Sequence, residues 1–398
     1  MDWDKFSFDY RPETGGLFAP IISIEAYKEA AMNLVLPPDW REQLDRLNRV
    51  RAVYGTTALE GNPLSESEVS HQLDLLENPD EKAKARATKE QIQIRNSGTA
   101  QAWARLRFTP ENAPISLNDI LYMHRVLTTD SDTEHNAPGK LRTDFEVTVG
   151  SPEMGGVHRG APAKDVPALM EKFVDFINHR KQKESHPVIH AVLSHFFLVT
   201  IHPFGDGNGR ISRLLEAGIL FQHGYNVHGF YGLSNYFYKN EAKYKTLLQE
   251  CRAEQPFNVT PFVRFGIDGF ASELKGINNF VKTKLNRVVY RNMLVRAFNQ
   301  RVGSRRRLLN QREYRLLQFL LTETEPFDPF SDSPSRQIKF SELQQSAFVQ
   351  GAYKNFTTRT FYRELNRLGQ MGFIKIRRDD SAAREWILEL DLDAIGRY

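Results

Sequence analysis

Two apolar runs frame a short polar one. Val188 to Ile201 (VIHAVLSHFFLVTI) and Ser212 to Phe221 (SRLLEAGILF) are rich enough in aliphatic and aromatic residues to be buried. Between them lies His202 to Arg210 (HPFGDGNGR), dense in turn-forming residues, so the pattern predicts a loop joining two buried helices. Asp-Gly and Asn-Gly pairs also mark hairpin turns, but a hairpin needs alternating strands on both sides, and these flanks are helical.

Upstream, helical spacing begins at Trp40, carries Leu44, Leu47, Val50, Val53 and Tyr54, and stops at Gly61-Asn62-Pro63. Ser65 with Glu68 forms a capping box, and Ser116 caps a helix bearing Ile120, Leu121, His124 and Leu127. The Ala-rich run at 81–106 is read as helix with a solvated charged face. Residues 1–38 mix Pro, Gly and aromatics and predict an extended leader with few regular elements. Phe145 to Val149 alternates like a strand, turns at Gly150 to Gly156 and returns through Val157-His158-Arg159, a β-hairpin in a helical body. An amphipathic helix follows from Ala163. Beyond the apolar pair, Tyr236 to Arg252 reads as one Tyr-rich helix, and Pro256 to Phe280 as another.

From Lys282 to Arg315 the chain turns basic, with Arg305-Arg306-Arg307 beside Gly303-Ser304, which predicts a boundary near residue 300. Helices are expected at Gln311–Thr322, around Phe340 to Phe348 and at Thr357–Met371, with a loop at Glu325–Pro334. Strands follow in GFIKIRRDD and AAREWILEL, making a winged helix-turn-helix. Arg359, Arg363 and Arg367 share one face of its third helix and, with Arg377 and Arg378, have the charge to track DNA phosphates. A solvated basic face used for protein contacts or dimerisation, with a homodimer as one outcome, is the alternative.

Composition changes this picture little. A chain of 398 residues, 40% hydrophobic and 26% charged with net charge +4, is an ordinary globular protein of two or three domains. Cys251 is the lone cysteine, so no intramolecular disulfide forms. The start, MDWDKFSFDY, lacks a secretory pattern, and no apolar run reaches membrane-spanning length. The expectation is a cytoplasmic protein without a membrane partner.

The loop carries the chemistry. Gly205, Gly207 and Gly209 let successive N–H groups converge, and the following helix start adds its dipole, so the stretch suits a polyphosphate. Arg210 and Arg213 lie on one helical face and can each fork onto phosphate oxygens. Asp206 offers a hard oxygen to Mg²⁺, and His202 is the group there able to take a proton near neutral pH. Together they point to transfer from a nucleotide polyphosphate to a hydroxyl.

HPFGDGNGR with the second arginine in GRISR resembles the signature of Fic proteins, which attach AMP from ATP to protein hydroxyls. The resemblance covers roughly residues 40 to 280 and implies a mainly α fold, a Fic-type helical bundle with a small β-hairpin flap, here followed by the winged helix-turn-helix. The divisions expected are 1–110 for a leader and helical segment, 111–285 for the catalytic core and 300–398 for the winged-helix domain. The resemblance further implies His202 as base, Asp206 on Mg²⁺, and Gly207, Asn208, Gly209, Arg210 and Arg213 on the ATP phosphates. Thr56 and Glu60, four apart at a helix end, match an inhibitory helix in which the Glu pairs with Arg213; by residue types alone Glu60 is an ordinary solvated glutamate. Val147, Thr148, Val149 and Gly150 would hold a target backbone in register. Tyr244 falls where relatives line the adenosine pocket with paired tyrosines, with Lys245 in place of the second. The implied activity is transfer of AMP to a Ser, Thr or Tyr hydroxyl of a target protein, restrained by Glu60. Alternatives are a nucleotide-sensing DNA-binding regulator and a hydrolase that removes AMP at the same site.

Overall fold

The computed structural model describes residues 2–10, 16–78, 87–130, 136–151, 156–179, 185–225, 229, 232–303, 306–378 and 385–392. Part of the Ala-rich run at 81–86, the hairpin tip at 152–155, Ser304, Arg305 and the charged turn of the expected wing lie outside them. The chain divides into two units, Met1–Leu274 and Lys275–Tyr398.

The first unit is built around α7 (Pro187–Ile201) and α8 (Asn208–Gln222), the two apolar runs of the sequence. Pro187 occupies the first turn of α7, and His186 caps it by accepting from the Val188 amide. Almost every residue of both helices is buried, as helices apolar on all sides must be. Around them lie α2 (Pro38–Ala58), α3 (Glu66–Glu77), α4 (Lys89–Arg107), α5 (Leu117–Thr128) and α6 (Val166–Asn178). Both expected caps form: Ser65 and Ser116 each accept from a backbone N–H three residues on, while Glu68 and Asp119 reach back to the cap. Strands β1 (Thr148–Ser151) and β2 (Gly156–Arg159) pair antiparallel, with Val149 opposite His158.

Three sequence readings give way here. The leader is not extended throughout, because α1 (Phe18–Met32) forms in it, with Ile24 and Ala31, seven apart, buried on one side. The strand at Phe145 begins later, at Thr148, because the Phe145 carbonyl accepts from Arg142 Nη1 at 3.1 Å instead of joining the ladder. The Tyr-rich helix is two, α9 (Ser234–Lys239) and α10 (Glu241–Cys251), broken at Asn240, whose carboxamide donates back to the Tyr236 carbonyl at 3.0 Å and so competes with the helical pattern.

Thr260–Asn299 is a single helix, α11, well beyond the expected end near Phe280. Its residues up to Leu274 count with the first unit and the remainder with the second. Short strands β3 (Arg301–Val302) and β4 (Arg306–Arg307) follow, then α12 (Gln311–Glu323). The expected middle helix is split at Ser346 into α13 (Phe340–Gln345) and α14 (Ala347–Ala352), because the Ser346 hydroxyl accepts from the Val349 amide and starts a new helix. Next come α15 (Thr358–Gln370) and strands β6 (Ile374–Arg378) and β7 (Trp386–Leu390). A short strand that the sequence pattern did not reveal, β5 (Ile338–Lys339), pairs with β7, giving a sheet of order β5-β7-β6. Leu317, Leu343, Phe361, Leu368 and Phe373 fill the core of this unit, and the Tyr290 hydroxyl donates to the Phe373 carbonyl at 2.7 Å.

Candidate functional site

The site grows from the turn between α7 and α8. His202 ends α7 with φ 54° and ψ 61°, a left-handed conformation that costs a non-glycine residue about 1 kcal/mol or more and must be held from outside. Arg142 does much of this. Its buried guanidinium donates to the carbonyls of His202 at 2.8 Å, Phe145 at 3.1 Å and Ala161 at 2.5 Å. His202 Nδ1 lies 3.3 Å from the Val199 carbonyl, which can only accept, so Nδ1 carries the hydrogen and Nε2 is left as the acceptor. Burial, with Arg252 and Arg142 nearby, pulls the imidazole down to about 4, against the pull of the Val199 carbonyl and Glu60. At neutral pH His202 is therefore an uncharged base.

Gly207, at φ 76°, is the left-handed N-cap of α8, and a Cβ there would lie 2.8 Å from Thr128 Cγ2. The first-turn N–H groups of Asn208, Gly209 and Arg210 have no intrahelical acceptor and form the nest. The side chain of Asn208 turns inward, its oxygen accepting from the Phe204 amide at 3.0 Å and its NH₂ donating to the Phe204 carbonyl at 2.8 Å. It braces the loop and leaves only its backbone N–H for an anion. Asp206 Oδ1 accepts from the Gly207 amide at 2.6 Å, and Oδ2 accepts from Arg210 Nη2 at 3.0 Å.

His124 supports this loop from below. Its ring stacks on Phe204 with centroids 3.8 Å apart. Its Nε2–H donates to the Asp206 carbonyl and its Nδ1 accepts from the Gly139 amide, both at 3.0 Å. Protonation would break the second bond, and burial, with Arg210 nearby, pulls His124 down to about 4 against the pull of Asp206. His158, which donates to the Thr200 carbonyl at 2.8 Å, is pulled down to about 3, chiefly by burial.

Both histidines are therefore neutral in the fold and titrate near 6.5 when unfolded. As pH falls below about 6.5 the unfolded chain gains protons that the fold does not, so each removes up to about 1.4 kcal/mol of stability per pH unit. Urea unfolding is expected to show a clearly lower midpoint at pH 5 than at pH 7. An unchanged midpoint contradicts the neutral assignment.

Arg213 meets the end of α2. Its Nε donates to Thr56 Oγ1 at 2.8 Å and its Nη2 to the Thr56 carbonyl at 3.1 Å and Glu60 Oε1 at 2.5 Å. Desolvation opposes the charge on both partners, but Arg213 with Arg210 holds the Glu60 carboxyl below its ordinary range, and Glu60 in turn holds Arg213 above its own. Gly209 makes room for this pair, since a Cβ on it would lie 2.3 Å from Glu60 Oε1. The pairing joins residues 153 apart in the chain.

Glu60, Val149, Gly150, His202, Gly209, Arg213, Tyr244 and Lys245 line one cavity of about 240 Å³. Arg210 and Thr56 line a small void beside it, Asp206 stays on the loop, and Thr148 is exposed on the hairpin. Val147 lies before β1, its carbonyl accepting from the Gly160 amide at 3.1 Å. Lys245 pairs with Glu241 at 2.5 Å. Cys251 is buried, and burial pushes its thiol up to about 11, which disqualifies it as a nucleophile at neutral pH.

Two contributors escaped the sequence reading. Glu216 Oε2 accepts from His195 Nδ1 at 2.7 Å, leaving His195 Nε2 to accept from the Tyr244 hydroxyl at 2.9 Å; all three are buried. The signal was present, an acid and a histidine each inside an apolar helix, where a charge needs a partner. Arg142 gave none, sitting in an unpatterned loop. Arg142→Ala leaves several buried carbonyls without donors and is expected to cost about 3 kcal/mol of stability, measurable by denaturant unfolding.

No described helix is long and apolar enough to cross a membrane. The Fic/DOC family profile matches residues 114–220. The chain is 31% identical over 176 residues, 44% of its length, to a protein adenylyltransferase Fic of Aedes aegypti, 33% of which is covered. It is 39% identical over 111 residues, 28% of its length, to that of Drosophila willistoni, 20% of which is covered. The matched segments thus span a third or less of these relatives. Among solved structures, a Fic family protein from Desulfovibrio desulfuricans shares the fold at TM-score 0.53 and 19% identity, covering 96% of this chain and 98% of that one. Fic-1 from C. elegans shares it at TM-score 0.53 and 22% identity, over 67% and 73% of the two chains. The segment 114–220, which holds the HPFGDGNGR turn, is thus the part of this chain that matches the Fic/DOC family, and the helical fold is common to both structures.

Proposed function

We propose that this chain transfers AMP from ATP to a Ser, Thr or Tyr hydroxyl of a protein, itself included, and that Glu60 restrains the reaction. The relatives it matches are named protein adenylyltransferases. The observation that carries the reading is the convergence on one cavity of the His202 imidazole, the Gly209 turn of the nest and the Arg213 guanidinium.

In this reading His202 Nε2 takes the proton of the target hydroxyl as its oxygen attacks the α-phosphorus. The new O–P bond forms, the bond from the α-phosphorus to the bridging oxygen breaks, and pyrophosphate leaves with that electron pair. The N–H groups of Asn208, Gly209 and Arg210, with the Arg210 and Arg213 guanidiniums, stabilise the charge spreading over the phosphates. Leu248 and Tyr244 flank the adenosine, with Lys245 beside them. Strand β1 is paired on one edge by β2, so its other edge at Thr148, Val149 and Gly150 takes a target strand by main-chain bonds, with Val147 leading into it.

Mg²⁺ fits the loop by donor chemistry. Asp206 supplies a hard carboxylate, and among the described residues no group of three or more His, Cys, Asp or Glu converges, so phosphate oxygens and water would complete its shell. Bound there, it would neutralise phosphate charge and orient the chain of phosphates.

Glu60 and the Thr56 carbonyl both accept from Arg213 Nη2 while the Thr56 hydroxyl accepts from Nε, so the γ-phosphate meets an arginine already engaged. The second unit we read as a winged helix-turn-helix, with α12, the pair α13 and α14, and α15 followed by the β6–β7 hairpin.

ATP labelled at the α- or the γ-phosphate separates the reaction classes. Incubation of Glu60→Gly protein with Mg²⁺ and each nucleotide is expected to put α-label, and no γ-label, on protein. Label arriving from the γ position would make the reaction phosphoryl transfer and defeat the proposal.

A further inference from the structure

Glu216 is wholly buried in α8, and no arginine or lysine pairs with it among the described residues. Its Oε1 accepts from the Leu233 amide at 3.2 Å and its Oε2 from His195 Nδ1 at 2.7 Å. Burial, with Arg213 and Arg252 nearby, holds the His195 imidazole below its ordinary range against the pull of Glu216, so the ring is neutral and carries its hydrogen on Nδ1. A buried carboxylate met only by neutral donors is costly, and apolar residues would fill the same space at less expense. The acid therefore has a use beyond packing.

That use lies farther along the same chain of bonds. With Nδ1 given to Glu216, His195 Nε2 takes the hydrogen of the Tyr244 hydroxyl at 2.9 Å. The Tyr244 oxygen is left with lone pairs alone. It adjoins the Arg213 guanidinium, which faces the same cavity, and adds to Glu60 in holding that charge. Thr56 and Glu60 occupy Nε and Nη2 of this arginine and leave Nη1, which lies beside Gly209 of the nest.

We propose that Glu216 and His195 are positioning residues for Arg213: by committing the Tyr244 hydrogen to His195 they keep the Tyr244 oxygen an acceptor, which seats the guanidinium at the nest once ATP displaces Glu60. The inference rests on the transferase reading, in which Arg213 meets the γ-phosphate. Without the Tyr244 acceptor, the released guanidinium is braced by Thr56 on one side only. Glu216 thus acts on the phosphates through two intervening side chains and touches none of them.

Glu216→Gln keeps the shape and reverses the chain. A carboxamide has one acceptor oxygen, so when that oxygen stays with the Leu233 amide its NH₂ faces His195 Nδ1. The ring hydrogen then moves to Nε2, and the Tyr244 hydroxyl accepts there and turns its own hydrogen toward Arg213. The test is calorimetric binding of α,β-methylene ATP, whose α–β link does not break, and of AMP, both with Mg²⁺. The proteins are Glu60→Gly alone and with Glu216→Gln, with Tyr244→Phe, or with both.

Glu216→Gln is expected to weaken the triphosphate analogue about tenfold, as loss of a hydrogen bond to a charged group does, and to leave AMP, which has no γ-phosphate, unchanged. Tyr244→Phe keeps the ring and removes the acceptor, so it should give the same loss, and the two changes together should lose no more than either alone. The ¹⁵N shifts of His195 should place its hydrogen on Nδ1 in Glu60→Gly and on Nε2 after Glu216→Gln. Unchanged affinity for the analogue, an equal loss for AMP, additive losses in the combined variant, or a His195 hydrogen that stays on Nδ1 each overturns the proposal. A Glu60→Gly protein that binds neither nucleotide overturns it together with the transferase reading.

Discussion

His202→Ala is expected to lower AMP transfer by about 10³-fold while leaving nucleotide affinity nearly intact. The imidazole is the group in the cavity with an acceptor nitrogen and no charge at neutral pH, and alanine removes the acceptor without touching the nest. The left-handed backbone at this position should survive, because Arg142 and the Leu198 carbonyl hold it from outside the side chain. Because burial pulls His202 down to about 4, the base stays unprotonated across the neutral range. The rate should therefore be level between pH 6 and 8 as far as this group is concerned, and its acid limb should fall near pH 4 and not near 6.5. A limb near 6.5 would mean that the imidazole is far better solvated during turnover than in this structure.

The second large effect is a gain. Glu60→Gly is expected to raise transfer by roughly 5- to 150-fold, the span of ordinary coupling free energies between a restraint and a site. The carboxylate lies 2.5 Å from Arg213 and directly over Gly209, so removing it frees one N–H of Arg213 Nη2, the other staying on the Thr56 carbonyl, and opens the nest at once. The gain should appear as tighter productive binding of ATP together with a higher rate. Glu60→Gln separates charge from bulk: if the ion pair is the restraint, the amide should release most of it. Thr56→Ala provides a further check, since the Thr56 hydroxyl accepts from Arg213 Nε and its loss should free the arginine only in part.

What was legible in the chain follows from how local each feature is. The turn from His202 to Arg213 is a run of twelve residues whose glycines, charges and apolar flanks read directly as a loop between buried helices, and the folded chain has that form. Thr56 and Glu60 were legible only through family resemblance, because nothing at the end of α2 says which arginine lies across the cleft. Arg142 is silent in sequence, since its importance comes from carbonyls at Phe145, Ala161 and His202 that tertiary structure gathers around it. Asn208 shows the converse: its place in the motif suggested phosphate, yet its side chain clasps Phe204. The early helix at Phe18–Met32 was hidden by the glycines and prolines around it, although its own run is rich in Ala and Glu. In α15, helical spacing alone put Arg367 on the exposed face, and only the position of Glu313 removed it.

The most direct test of the central claim is the intact mass of three proteins after incubation with ATP and Mg²⁺: the parent, Glu60→Gly, and Glu60→Gly with His202→Ala. The account predicts a low level of AMP adducts on the parent, a clear rise on Glu60→Gly and none on the double variant. Adducts of equal abundance on all three proteins would contradict it, because neither the base nor the restraint would then act where the structure brings them together.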